Sequence, residues 1–415
     1  MREGKQLQGL DRTALLSLML ATFSLSVGYS IVLPILPFLI EQLSPAADPA
    51  AVSRHTGLIT STYILAVFLF APLWGSLSDQ LGRRHVLLIG LIGLGVTLAL
   101  FAFFEGLASL YVLRFLNGVF GAAIVPAAYA LVADYAISKE WRAYRFTLLN
   151  VAVTSGFFVG PLLGGLALRV SREVIPADGE YFPASFLAAS ALALVAAVLT
   201  GLFVHAVRWR PADSVATKDE PKRRGILLRL GIIVFIGSLA IGAFEVGLAL
   251  RGKQTLSMDA YQISMLFAEC SIVMLVVQAV VLSPLIRPDA TRWFVTPSIV
   301  LLALGLAVVP FADSYGAMTV AVALVAASAG ILAPIATFWV SLKARETGGA
   351  ALGRVTAAQS LGQVVGSAGG GWLFDATSIP NATFNAAAML VLPAVVAGYG
   401  LPRLLVRPAK STCNS

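Results

Sequence analysis

The sequence predicts an all-α integral membrane protein, with twelve transmembrane helices in two pseudo-symmetric six-helix bundles. Three observations predict it. Hydrophobic residues make up 58% of the 415-residue chain and charged residues 12%, so a soluble fold would expose far more apolar surface than a monomer tolerates. Apolar runs recur at about the 20 residues that a helix needs to cross a bilayer. The basic residues between those runs are sorted by side. The formal charge of +8 does not indicate nucleic acid as a partner, because Lys and Arg sit in short clusters between apolar runs, which is the pattern of membrane topology.

The charged N-terminus MREGKQLQGLDR leads into an apolar run too long for a signal-peptide core and lacking a small-residue cleavage site. It is expected to stay as the first span, 14–40, with Pro34 and Pro37 bending it. The next spans are expected at 56–77, 86–104, 108–133 (with Pro126), 144–168 and 182–206. The one long polar connection follows, at 207–226. After it come 227–250, 259–286, 293–311, 315–340 (with Pro334), 351–374 and 382–404. The expected division is a six-helix bundle at 1–206, a cytoplasmic linker at 207–226 and a second six-helix bundle at 227–415.

The charges test this arrangement. With the N-terminus inside, only Arg54, Arg169, Arg172, Arg251 and Lys253 fall outside and Arg114 lies within a span. Every other one of the 29 basic residues is on the inner side. Cytoplasmic loops retain Lys and Arg, so a multi-pass protein of the inner (plasma) membrane with both termini cytoplasmic is expected. Glycines indicate a repeat. Gly156, Gly160, Gly164 and Gly165 in the fifth span recur at one constant offset as Gly362, Gly366, Gly370 and Gly371 in the eleventh, as duplicated transporter halves would have.

Enzyme chemistry finds no support. Cys270 and Cys413 make no disulfide framework, and His55, His85 and His205 are scattered, so neither a metal nor another cofactor is expected. There is no Walker lysine motif and no arrangement of Ser, His and Asp for a nucleophile.

Residues 75–84 read GSLSDQLGRR, which matches G-x-x-x-D-x-x-G-R-R/K, the signature of the major facilitator superfamily. The chain resembles that family over essentially its whole length. The resemblance implies an inner gate, in which Asp79 meets the start of the eleventh span near Arg354 and Arg83 meets Asp134, with Arg84 beside them. In the second half the motif has eroded to SPLIRPDATRW, with Leu285 near the place of the aspartate. Arg114 with Gly118 resembles the R-x-x-x-G core of a second family motif, and an arginine at that depth normally faces a polar cavity or a partner. Gly156, Gly160, Pro161, Gly164 and Gly165 resemble the antiporter signature G-x-x-x-G-P-x-x-G-G of drug and proton exchangers, which implies export. Glycines four apart also make a smooth face for close helix approach.

Two acids lie inside spans: Glu245 in the outward half of the seventh, and Glu269 near the middle of the eighth. Burial disfavours a carboxylate's charged form, so both are expected to carry protons, with Arg114 as their electrostatic partner. Tyr29, Tyr63, Asn117, Tyr129, Asn150, Gln278, Gln359 and Gln363 are expected to line a central substrate cavity. The function expected from residues and resemblance together is proton-coupled export of small amphipathic molecules such as drugs, by a monomer in the lipid bilayer. Export of an endogenous metabolite such as a siderophore, or import by the same fold, is the alternative.

Overall fold

The computed structural model describes residues 10–135, 138–174, 183–205, 221–281, 288–343, 348–375 and 381–405. The first span is two helices, α1 (Arg12–Ser30) and α2 (Leu36–Leu43), separated by turns at 31–35. Pro34 and Pro37 have no amide donors, so the helical ladder cannot run through them. Next comes α3 (Pro49–Leu81), longer than expected because Asp48 caps it by accepting from the Ala51 amide at 2.6 Å. Such a cap contributes ~1 kcal/mol. It ends at Gly82, where φ is 92°, a value that only glycine adopts without strain. That turn lets α4 (Arg83–Leu100) start in the next residue.

The first half is completed by α5 (Leu107–Asp134), α6 (Lys139–Val174) and α7 (Pro183–Phe203). The second half begins with α8 (Pro221–Leu250), which takes in the last residues expected in the linker and continues as a π turn, Arg251–Thr255. Then follow α9 (Ala260–Val281), α10 (Val295–Val308), α11 (Tyr315–Lys343), α12 (Gly348–Asp375), α13 (Ala382–Tyr399) and the short α14 (Leu401–Leu404). Leu285, Cys413 and most of the expected linker lie outside the described residues.

Eleven of the described spans are long and apolar enough to cross a membrane. The eleventh in order, α12, is not among them although it has 28 residues. Gln359, Ser360, Gln363, Ser367 and its glycines dilute its apolar content, since it packs against protein along two sides. One core cluster joins α1 to α7 around residues such as Leu18, Leu91, Ile124 and Phe186. The other joins α8 to α14 around Phe244, Leu266, Ile299, Trp339 and Phe384. Tyr29, Leu33, Tyr63 and Ile64 of the first half cluster with the second. Large apolar side chains such as Phe103, Phe311 and Val396 are more than two-thirds exposed, as a lipid-facing surface requires.

The glycine repeat becomes a repeat of contacts. A Cβ on Gly156 would sit 2.5 Å from the Phe23 carbonyl oxygen, and one on Gly160 2.9 Å from that of Val27. On Gly164 it would lie 3.0 Å from Ile31. In the second half Gly362 meets Phe235, Gly366 meets Leu239 and Gly370 meets Ala243 with the same spacing. So α6 lies on α1 as α12 lies on α8. The last glycine of each set turns to the opposite half: Gly165 to Tyr261 and Ser264 on α9, Gly371 to Ser53 and Gly57 on α3.

At that end the halves are also tied by charge. Lys253, in the π turn, pairs with Glu41 and donates to the Pro37 carbonyl at 3.0 Å. Gln254 donates to the Pro49 carbonyl and the Ser53 hydroxyl, both at 3.2 Å. Arg251, 2% exposed, is held in its own half by the carbonyls of Pro310 and Ala312, by Asn381 and by Asp313. The two carbonyls are orphan acceptors past the end of α10, and a cation is favoured there. The Lys253–Glu41 pair is partly exposed, so its worth is about 1 kcal/mol at most. Lys253→Glu is therefore expected to raise maleimide labelling of a cysteine placed at Ser53 about fivefold. Adding Glu41→Lys is expected to restore the original rate, and unchanged labelling in the single variant would show that this pair does not hold the end closed.

Candidate functional site

The chemistry concentrates where the two halves meet at mid-height. From the first half, α1 brings Tyr29, α3 brings Tyr63, α5 brings Arg114 and α6 brings Phe157. From the second, α8 brings Glu245 and α12 brings Gln363. The Tyr29 hydroxyl donates to Glu245 Oε2 at 3.3 Å, and Gln363 Nε2 donates to the same oxygen at 3.2 Å. Gln363 also reaches the Tyr29 hydroxyl at 3.4 Å. The Tyr29 and Tyr63 rings meet at a 41° tilt, 4.8 Å between centroids, and Phe157 meets Tyr29 edge-on at 5.7 Å.

Arg114 lies behind the tyrosines and is fully buried. Its guanidinium carbon is 5.0 Å from the Tyr63 ring centroid and 5.7 Å from that of Tyr29. None of its three side-chain nitrogens has a hydrogen-bond partner among the described residues. Among the described residues, two aromatic faces supply compensation for a cation out of water, through the negative face of each ring. The small residues of the helices make this approach possible, since Gly118 and Gly121 on α5 face Tyr63 directly.

Other expected site residues fall elsewhere. Glu269 does not join the cluster; it faces Thr319 of α11 within its own half. Asn117 is not in a cavity wall. It is fully buried and donates to Thr97 of α4 at 3.1 Å, because its position on α5 points back into the first bundle. Tyr129 stacks on Phe146 of its own half at 4.8 Å. Asn150 and Gln278 flank Thr154, whose hydroxyl reaches the Asn150 carbonyl at 3.0 Å and Gln278 across the seam at 3.5 Å. Gln359 is partly exposed, one helical turn from Gln363.

At the other end of the bundle Arg83 joins two acids, pairing with Asp79 and reaching Asp134 at 3.3 Å. It also donates to Ser78 at 3.2 Å. Arg84 turns away to the Gly201 carbonyl at the end of α7, so it braces α4 against α7. Arg354 is exposed in the first turns of α12. Sequence reasoning placed Lys253 and Arg251 only as topological charges. Their one available signal was that they break the depletion of basic residues on the expected outer side. Among the described residues no group of His, Cys, Asp and Glu could hold a metal ion.

A buried charged cluster shared by two pseudo-symmetric six-helix bundles defines a membrane transporter. The chain belongs to the Major Facilitator Superfamily, whose family profile matches residues 18–348. Its members are transporters and not enzymes. The quinolone resistance protein NorA of Staphylococcus aureus is 24% identical over 361 residues, 85% of this chain and 88% of that one. The class D tetracycline resistance protein of Salmonella ordonez is 34% identical over 165 residues, which cover 40% of each chain. Two solved structures share the fold, each with a TM-score of 0.70. The human organic anion transporter MFSD10 (TETRAN) is 20% identical, with 93% of this chain and 99% of that one covered. A bacterial homolog of the human lysosomal transporter Spinster, solved inward-facing and unoccupied, is 12% identical, with 95% and 98% covered.

Proposed function

We propose that this transporter is a proton-coupled exporter of small amphipathic molecules such as drugs, working by alternating access. The observation that carries the reading is the position of Glu245. It is the carboxyl at the seam, bonded by a hydroxyl of one half and an amide of the other. An ionised Glu245 attracts a substrate's cationic group, and a proton arriving from the outer side removes that attraction. Substrate and proton then compete for one group, which is the requirement for antiport. The antiporter-like glycines of α6 and the resistance relatives support the outward direction. The proposed topology follows the basic residues, with 1–206 and 227–415 as the two moving bundles, the linker 207–226 and both termini cytoplasmic, in the plasma membrane. The Lys253–Glu41 end is then the outer one, and its ties correspond to an inward-facing state with the outer gate shut.

The test uses inside-out vesicles from cells lacking their own pumps, with a fluorescent amphipathic amine such as ethidium as the probe. An acidified lumen is expected to drive dye into the vesicles, and a protonophore to stop it. Gradient-driven dye release would mark an importer, and uptake indifferent to the gradient would remove proton coupling.

A further inference from the structure

One side chain of the cluster carries its polar group across the seam to Glu245. Tyr29 sits on α1 in the first half, packed against the Tyr63 and Phe157 rings and lying over the Arg114 guanidinium. Its hydroxyl crosses to the second half, where it meets Glu245 and Gln363. We propose that Tyr29 is the positioning residue that reports the protonation state of Glu245 to the opposite bundle. This rests on the reading of Glu245 as the proton carrier.

The chemistry follows from donors and acceptors. An ionised carboxylate is acceptor-only, so it takes the phenol O–H and the Gln363 amide together. A protonated carboxyl still offers both donors a carbonyl oxygen, but one without the negative charge. Hydrogen bonds to a charged group are the stronger kind, so the tie between α1 and α8 is tight when Glu245 is ionised and slack when it is protonated. Arg114 strengthens the tie: a buried cation against the ring face draws electron density from the phenol and makes its O–H a better donor. The other titratable groups facing the pair are Tyr63 on α3 and Cys270 on α9. From α6 comes Phe157 and from α12 comes Gln363, neither of them titratable.

The test needs no substrate. In purified protein, infrared titration follows the protonated-carboxyl band that is lost in Glu245→Gln. Tyr29→Phe keeps the ring over Arg114 and removes only the donor to the ionised form. Its band is expected to titrate about one pH unit more alkaline. Site-specific 3-fluorotyrosine at position 29, equal in shape and a stronger donor, is expected to move it the opposite way. Opposite shifts are what a packing role does not produce. If the band titrates at the wild-type pH in both variants, Tyr29 is a wall residue and the proposal falls, with Glu245 still the proton carrier. If no titrating band disappears in Glu245→Gln, the proton assignment itself fails and the proposal with it.

Discussion

Glu245→Gln is expected to abolish gradient-driven dye uptake into inside-out vesicles, by at least about a hundredfold relative to wild type. Glutamine has the same length and keeps an acceptor oxygen for Tyr29 and Gln363, so the fold and the seam should persist. What it cannot do is gain or lose a charge. Dye exchange down its own gradient should therefore continue at all pH values with no dependence on pH. In wild type the same exchange should strengthen as pH rises, because an ionised Glu245 attracts the amine and a protonated one does not. Glu269→Gln is the informative contrast. Its carboxyl faces Thr319 inside one half, so under the proposed mechanism its protonation leaves the bond between Tyr29 and Glu245 untouched. Gradient-driven uptake should survive there nearly unchanged. Retention of coupling in Glu245→Gln together with its loss in Glu269→Gln would move the proton to the seam between α9 and α11.

That contrast also marks how far the sequence reaches. Depth along a span was readable from composition, and by depth Glu245 and Glu269 were both expected to carry protons. The proposal for Glu245 rests on its partners, and these lie far away in the chain: Tyr29 on α1 and Gln363 on α12. No periodicity within α8 carries that information. Hydropathy was sufficient for eleven of the expected spans, since a continuous helix satisfies its own backbone in lipid. It fails in the direction expected of a helix with protein neighbours, at α12, whose polar and small residues meet α8 and α3 instead of lipid. The break between α1 and α2 was signalled by Pro34 and Pro37 as a bend, and the chain goes further and leaves the helix altogether for five residues. Asn117 shows the opposite limit. An amide in a membrane helix either lines a cavity or bonds its neighbour, and which of the two depends on the rotation of α5, set by Gly118 against Tyr63.

Because rotation and approach are set by glycine, the helix contacts should be far more sensitive to a methyl group than the polar site is. Gly366 and Gly369 on α12 are three residues apart in the same helix. A Cβ at Gly366 would run into the backbone of Leu239 on α8, whose Cα would be 2.9 Å away, whereas nothing lies within 4 Å of one at Gly369. Backbone cannot swing aside as a side chain can, so Gly366→Ala forces α12 off α8 at a cost of about 1–3 kcal/mol or more. Gly369→Ala meets no neighbour and gains helix propensity of up to ~1 kcal/mol. The two substitutions are chemically identical and should act with opposite sign on thermal denaturation followed by size exclusion in detergent. Gly160→Ala should lie between them. Its nearest obstacle is the movable Ser30 hydroxyl, with the Val27 carbonyl behind it at 2.9 Å. Function should follow packing, since Gln363 lies on the same helix within one turn of Gly366. Moving α12 carries that amide away from Glu245, so Gly366→Ala protein that does fold should transport poorly. Equal stability of the Gly366 and Gly369 variants would mean that α8 and α12 are not in backbone contact, and the pairing of α6 with α1 would lose its counterpart in the second half.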